Sequence, residues 1–538
     1  ERKKYIFENN QNLNIIFTLF LFFIILEFLS MSFPLNEIDF FHEGERLSPA
    51  KNFLLNGKIW SGALFIHNAF VDLFAPVIGW SIFGKETIGS YRLFILILIL
   101  FTKFVLLILS YKISMVSNLD KNTRIIYFCL IAVTTLQLTE YTFGNAGRYV
   151  SYRELPILLF LIFSLEVVLK QNKNHYAFLI GLLSSSSIIF LIDRGIYTNV
   201  LIVFLLLFFL LRKDLSLVIS IILGMILSWI ILYWLVGTNE FNSLIKDTFH
   251  YLSIKGFVDS YIYPTPFIEG KFFTTKGIIL VTASGLLTIY NLLIKKENKD
   301  NSLIFYFFII FIFSILTYKN AIGRADVNHI RYSSSFSIIL IALIFFKEAL
   351  FKINENFSLN KINTKVLVFC SISFFISILV TNNFYLKGKN SPKTFDNLIS
   401  VKYRINQYIN LSDKIFVQPD LIPVINYYKE LSKKDNCVQA FTNEAAWTYL
   451  TKKEMCTKHY ILWYAASDKL QKEFIDQLSA SKAKYLLIDA PDSYGGAGKL
   501  WVDGIDYEKR HTQIYSYLNE NFKFHKNVNG WIFYEKKN

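Results

Sequence analysis

Charge is scarce in this 538-residue chain: 18% of its residues are Asp, Glu, Lys or Arg, against a hydrophobic share of 53%. Soluble domains carry about a quarter charged residues. That deficit, with a mean hydropathy of +0.38, excludes an ordinary soluble protein and points to a polytopic membrane protein. Cysteine is scarcer still. There are four and no CxxC pair, which excludes zinc-finger or dithiol chemistry built on that spacing. The chain has no internal repeat, no low-complexity linker and no glycine spacing of the P-loop or dinucleotide type. Its net charge of +15 gathers in no aromatic-interleaved patch. The basic residues lie between apolar runs, where membrane orientation accounts for them and nucleic-acid binding does not.

What the chain does have is apolar runs of bilayer length, about 20 residues each. We place eleven, at 13–33, 89–111, 125–142, 154–170, 176–193, 196–211, 215–236, 277–294, 302–318, 333–351 and 364–382. The first is too long for a signal-peptide core and no small-residue cleavage pattern follows it, so it reads as an anchor. Placing Arg2, Lys3 and Lys4 in the cytoplasm and alternating puts the short Lys-rich connections 112–124, 170–175, 212–214, 295–300 and 347–365 on the cytoplasmic side. The outer face then receives 34–88, 141–153, 193–195, 237–276 and 318–332. The expected fold is an α-helical transmembrane domain, 1–384, with a long first external loop at 34–88. A small soluble α/β domain, 385–538, follows on the extracytoplasmic side.

Within that domain, 413–418 and 483–489 read as buried strands, 468–482 and 507–522 as amphipathic helices, and 522–536 as a hairpin about Asn529-Gly530. The Gly-rich stretch 489–501 reads as a surface loop. Cys129 and Cys370 fall in apolar runs as small fillers. Cys437 and Cys456 lie in the soluble domain, and outside the cytoplasm a structural disulfide between them is expected.

The outer loops hold the polar residues of interest. Asp39, His42, Glu43, Glu45 and Arg46 crowd the exit of the first run; Arg148, Arg153 and Glu154 belong to the second loop, and Asp193 and Arg194 to the third. Asp247, His250, Asp259 and Glu269 follow, then Lys319, Arg324, Asp326, His329 and Arg331. Arginines gathered at one membrane depth suit a phosphate, because the guanidinium fork matches its oxygens and stays charged. A carboxylate beside them can take the proton of an acceptor hydroxyl as the phosphate leaves, with no nucleophile on the protein. Asp39, Glu43 and Glu45 are the candidate bases. Arg148, Arg153, Arg194, Arg324 and Arg331 are the candidate phosphate contacts, with His329 orienting the donor. Glu27, Lys103 and Glu166, inside apolar runs, are assigned structural roles. His42, His67, His250 and His329 follow no metal-ligand spacing, so no cofactor is expected; a divalent metal held with Asp39 or Glu43 is the lesser alternative.

"HEGERLSPAKNFLLNGKIW" (42–60) and "FGKETIGSYRLF" (83–94), with Gly84, Glu86 and Arg92, resemble the first external loop of the GT-C superfamily of polyprenyl-phosphate-sugar glycosyltransferases. That superfamily includes protein mannosyltransferases and aminoarabinose transferases. Its members carry an acidic pair after the first span, then a G-x-W pattern and a G-x-x-E…R segment at the second. The "HEGE", "FIH" and "GRADVNHIR" signatures resemble an uncharacterised bacterial branch. Two departures stand out: His42-Glu43 replaces the usual Asp-Glu, and "FIHNAFVDLFAP" (65–76) stands where a Pro-Pro-Leu is common. The resemblance implies an enzyme of the bacterial inner membrane. It would move a sugar from a polyprenyl-(di)phosphate carrier to a lipid, glycan or protein acceptor on the outer face. A non-catalytic subunit of an envelope complex and a lipid-linked sugar transporter or flippase are the rival readings.

Overall fold

The computed structural model describes residues 11–65, 67–139, 150–169, 173–258, 272–293, 301–322, 327–357, 399–491 and 507–537. The N-terminal part is built from α1 (Gln11–Ser30), α2 (Gly44–Asn56), α3 (Ala75–Phe83), α4 (Ile88–Met115), α5 (Lys121–Leu138), α6 (Leu155–Leu169) and α7 (Asn174–Phe190). It continues with α8 (Ile192–Leu211), α9 (Leu215–Val258), α10 (Phe272–Leu293), α11 (Asn301–Ile322) and α12 (Val327–Phe357). Among the described residues five stretches are long and apolar enough to cross a membrane: Gln11–Ser30, Ile88–Met115, Ile192–Leu211, Leu215–His250 and Ser302–Lys319. The chain is mostly helical, with these five candidate spans and a small sheet region near its C-terminus. The expected runs at 125–142, 154–170, 176–193, 277–294 and 333–351 fall on α5, α6, α7, α10 and α12. The run at 364–382 lies outside the described residues.

Local chemistry sets the helix starts. Thr87 accepts from the Ser90 N–H at 3.2 Å to open α4, and Asp120 accepts from the Asn122 and Thr123 N–H groups at 3.1 Å to open α5. The three charges noted inside apolar runs are paired: Lys103 with Glu27 at 3.0 Å, and Glu166 with Lys112 just beyond the run at 89–111. The chain passes from α7 to α8 through Leu191 alone, so the connection expected at 193–195 is a tight turn two residues earlier.

The C-terminal region contains α13 (Val401–Ile409), α14 (Ile422–Lys433), β1 (Cys437–Val438), α15 (Trp447–Thr451), β2 (Glu454–Met455) and α16 (Asp468–Ser481). Then come β3 (Tyr485–Asp489), α17 (Tyr507–Arg510), α18 (Thr512–Asn521), β4 (Phe522–Val528) and β5 (Trp531–Lys536). Strands β3, β5 and β4 form an antiparallel sheet in that order, with β5 central. The β4–β5 hairpin turns at Asn529 and Gly530, both at positive φ. Strands β1 and β2 pair in parallel, and a disulfide joins Cys437 to Cys456 beside them.

Two expectations are corrected. The stretch 413–418 is a 3-10 turn over Asp413–Phe416, because its polar groups are spent elsewhere. Asp413 accepts from the Ile88 N–H at 2.9 Å, capping α4, and the Phe416 carbonyl accepts from Ile38 N–H at 2.7 Å. The single helix expected at 507–522 is split at His511, which is fully buried with non-helical backbone (φ −112°, ψ 49°). The loop expected at 34–88 is itself mostly folded, carrying α2 and α3. Its Trp60, Leu64 and Phe65 pack in one buried cluster with Phe441, Trp463 and Phe474 of the C-terminal region, so the two parts share a core.

Candidate functional site

Asp39 shapes the approach to α2. Its Oδ1 accepts from the Phe41 and His42 N–H groups at 3.1 and 2.8 Å, an Asx turn, while Oδ2 lies 2.8 Å from His42 Nδ1. Both side chains are about half exposed. Burial works against the Asp39 charge, but the hydrogen bond and charge of His42, with the two backbone donors, hold its carboxyl below the usual range.

Glu43 is buried and fully engaged. Arg92 of α4 grips it through Nε to Oε1 at 2.9 Å and Nη2 to Oε2 at 2.7 Å, and Oε2 also accepts the Asp39 N–H at 2.9 Å. The other Arg92 donors reach the carbonyls of Pro34, Asn36 and Glu37 at 3.4, 2.8 and 3.1 Å. The guanidinium also lies 4.9 Å from the centre of the Phe416 ring. Glu43 therefore braces the loop.

From the other side, the C-terminal region crosses the start of α2. Ala445 donates to the Phe40 carbonyl at 3.0 Å and accepts from Ser48 Oγ at 2.5 Å. Gly44 permits this approach, since a Cβ there would stand 2.5 Å from Ala446 N.

Glu45 and Arg46 lie in this clamped turn, both more than nine-tenths buried. Arg46 donates through Nη1 to Tyr91 Oη at 2.9 Å, and its Nε has no partner. One Glu45 oxygen is 3.5 Å from Tyr464 Oη; the other, Oε2, is buried and has no partner. Burial raises the Glu45 carboxyl above the ordinary range, with Asp72 adding to the rise and His67, His42 and Arg46 opposing it.

Next to this pair stands an arrangement that sequence reasoning missed. His67 Nδ1 is 2.9 Å from Asp72 Oδ1, the His67 N–H reaches Asp72 Oδ2 at 2.9 Å, and Arg153 Nη1 is 3.2 Å from His67 Nε2. Arginine only donates, so Nε2 accepts and Nδ1 carries the hydrogen toward Asp72. Burial works against the Asp72 charge, yet His67, and behind it Arg46, hold its carboxyl below the usual range. Two backbone features build the corner. Asn68 sits at φ 125°, fixed by Trp60 Nε1 at 2.8 Å and by its own bond to the Ile188 carbonyl at 2.8 Å. Phe70–Phe74 is a π-helical turn that carries Asp72 inward. Strained backbone and π turns are concentrated at functional sites.

Of the arginines expected to bind phosphate, Arg153 reaches the first loop through His67. Arg194 comes near, since Ile192 N–H donates to the His67 carbonyl at 2.8 Å. Its guanidinium is nonetheless held by Glu154 at 2.7–3.1 Å and by Asp193 at 2.7 Å. Arg331 is exposed and His329 half-buried at the start of α12. Arg148 and Arg324 lie outside the described residues, as do Asp259, Glu269 and Asp326. Among the described residues no group of three or more His, Cys, Asp or Glu side chains is placed to hold a metal ion. His42 and His67 pair with separate carboxylates, and His250 Nε2 faces Ser467 Oγ at 3.2 Å. No family model matches the chain, and no curated protein does.

One further carboxyl sits beside the clamp. Glu444, next to Ala445, is 4% exposed with Oε2 unpartnered. Burial, reinforced by the charge of Asp489, pushes it from 4.5 up to about 7. Its protonated form thus favours the folded state: that stability is full below about pH 4.5 and lost as pH rises through 7, a total of about 3 kcal/mol. Melts taken between pH 4.5 and 8 are expected to show this decline in the wild type, and a correspondingly flatter profile in Glu444→Gln.

Proposed function

We propose that the chain is a GT-C-like membrane glycosyltransferase that moves a sugar from a polyprenyl-(di)phosphate carrier to a hydroxyl acceptor at the outer membrane surface. The reading keeps eleven spans, a cytoplasmic N-terminus and an extracytoplasmic C-terminal region. The observation that carries it is the buried Glu45 oxygen without a partner, set among Arg46, His42, His67 and Asp72, with Arg153 3.2 Å from His67. Glu45 accepts the acceptor's proton: its raised affinity for protons makes it a better base than Asp39, and Glu43 is tied to Arg92. Arg46 and Arg153 face the departing phosphate, whose growing charge they stabilise. His67, oriented by Asp72, fixes the Arg153 guanidinium. Arg194 is a positioning residue for Glu154 and the second loop.

Radiolabelled transfer from polyprenyl-phosphate sugars in proteoliposomes tests this. Glu45→Gln is expected to lower turnover at least about 100-fold while leaving the thermal midpoint within the range of the wild type, with Asp39→Asn losing less. Transfer unaffected by Glu45→Gln sinks the assignment of the base, and no transfer by the wild type from any such carrier sinks the reaction class.

A further inference from the structure

Helix α9 contains one non-helical residue, Gly237, at φ 78° and ψ 167°. Before it, from Leu215 to Val236, the side chains of Ile219, Leu223, Ile226 and Ile230 are each more than half exposed. In a stretch this apolar, lipid is the environment that covers such a surface. The stretch ends on Tyr233, Trp234 and Leu235, exposed by 46%, 80% and 68%. Amphipathic aromatics of this kind mark the level of the head groups.

After Gly237 the direction changes sharply. The Phe241 ring lies 6.1 Å from Trp229 and 5.3 Å from Tyr233, residues that a straight helix would set about 18 and 12 Å away along its axis. The Tyr233 and Thr238 hydroxyls also meet at 2.9 Å. The second half of α9 therefore starts at the rim of its own span and crosses it.

This second half has two unlike faces. One docks on the C-terminal region: Leu244 is buried, Asp247 takes the Lys458 ammonium at 2.9 Å, and His250 meets Ser467. Ser61 of the first loop holds Glu240. The other face presents Ile245, Phe249 and Leu252, spaced four and three residues apart on one stripe. Phe249 is 68% and Leu252 39% exposed. Among the described residues Phe249 stays largely uncovered, although the opposite face is anchored by three polar contacts.

We infer that the part of α9 after Gly237 lies in the boundary layer of the bilayer, with Phe249 and Leu252 in the lipid, and moors the C-terminal region to the membrane surface. The occupant is lipid because the stripe continues from the exposed Tyr233–Trp234 rim of a membrane-length span. An amphipathic helix in that position gains binding from its apolar face while its polar face stays with water or protein. The inference rests on the membrane assignment and is independent of the transferase reading.

Site-directed spin labelling tests it on the full-length protein. Phe249→Cys and, separately, Leu252→Cys are made in a Cys129→Ser, Cys370→Ser background that keeps the disulfide, and reconstituted in phosphatidylcholine/phosphatidylglycerol nanodiscs. Power saturation is expected to give oxygen accessibility severalfold above nickel-chelate accessibility at both labels, and the reverse at Lys472→Cys on α16. Nickel accessibility at 249 and 252 equal to that at 472 places the stripe in water and overturns the inference. Low accessibility to both reagents with an immobilised spectrum means that protein, a partner or a second copy, covers it, and also overturns it.

Discussion

Arg92→Met is expected to lower the stability of the detergent-solubilised protein by roughly 3–5 kcal/mol, read as a lower midpoint in fluorescence-monitored unfolding. The side chain is fully buried and its partner nearly so, so removing the guanidinium strands the Glu43 charge away from water. It also orphans the Pro34, Asn36 and Glu37 carbonyls at the end of the first span. The effect belongs to the pair: in Glu43→Met/Arg92→Met no charge is stranded, and most of the loss is expected to return, because buried ion pairs replaced by apolar groups are frequently neutral. Arg92→Lys should fall between, keeping the charge but losing the bidentate grip. A double-mutant cycle with no coupling between 43 and 92 would overturn the account.

Lys458→Met should produce a loss of similar size, roughly 3–5 kcal/mol, from a different place. The ammonium is 2.9 Å from both Asp247 oxygens and 3.1 Å from Glu473. Without it two carboxylates face each other across the seam between α9 and α16. The damage should be regional. Hydrogen exchange is expected to rise over 238–250 and 457–475 while the Arg92 loop keeps its protection. Asp247→Asn added to Lys458→Met should recover part of the loss, and protection unchanged in Lys458→Met would show that the seam holds without the lysine.

The parts legible in the sequence were those in which a local pattern and the tertiary environment agree. The long apolar runs at α1, α4, α8, α9 and α11 needed no partner to be recognised, and Asn529-Gly530 announced its hairpin through backbone chemistry alone. The acidic block at the first span exit stood out because charge there is expensive. What stayed hidden depended on distant partners. Asp413–Phe416 alternates like a strand, but its carboxylate caps α4 and its carbonyl bonds Ile38. His67 and Asp72 are five apart, roughly 140° around a regular helix, and only the Asn68 backbone and the π turn bring them together. Glu43 and Glu45 look alike in sequence, yet one is locked by Arg92 and the other left with an open oxygen.

The clamp on α2 also sets an order of events during synthesis. Ser48 and Ala445 are 397 positions apart, and the ribosome has finished every helix from α1 to α12 before the second jaw exists. A nascent chain halted after α12 would already display Asp39, Glu43, Glu45, His67 and Asp72, but the turn that bears Glu45 would have no lid to exclude water. The cover over that corner is completed only once the segment around Ala445 has been made.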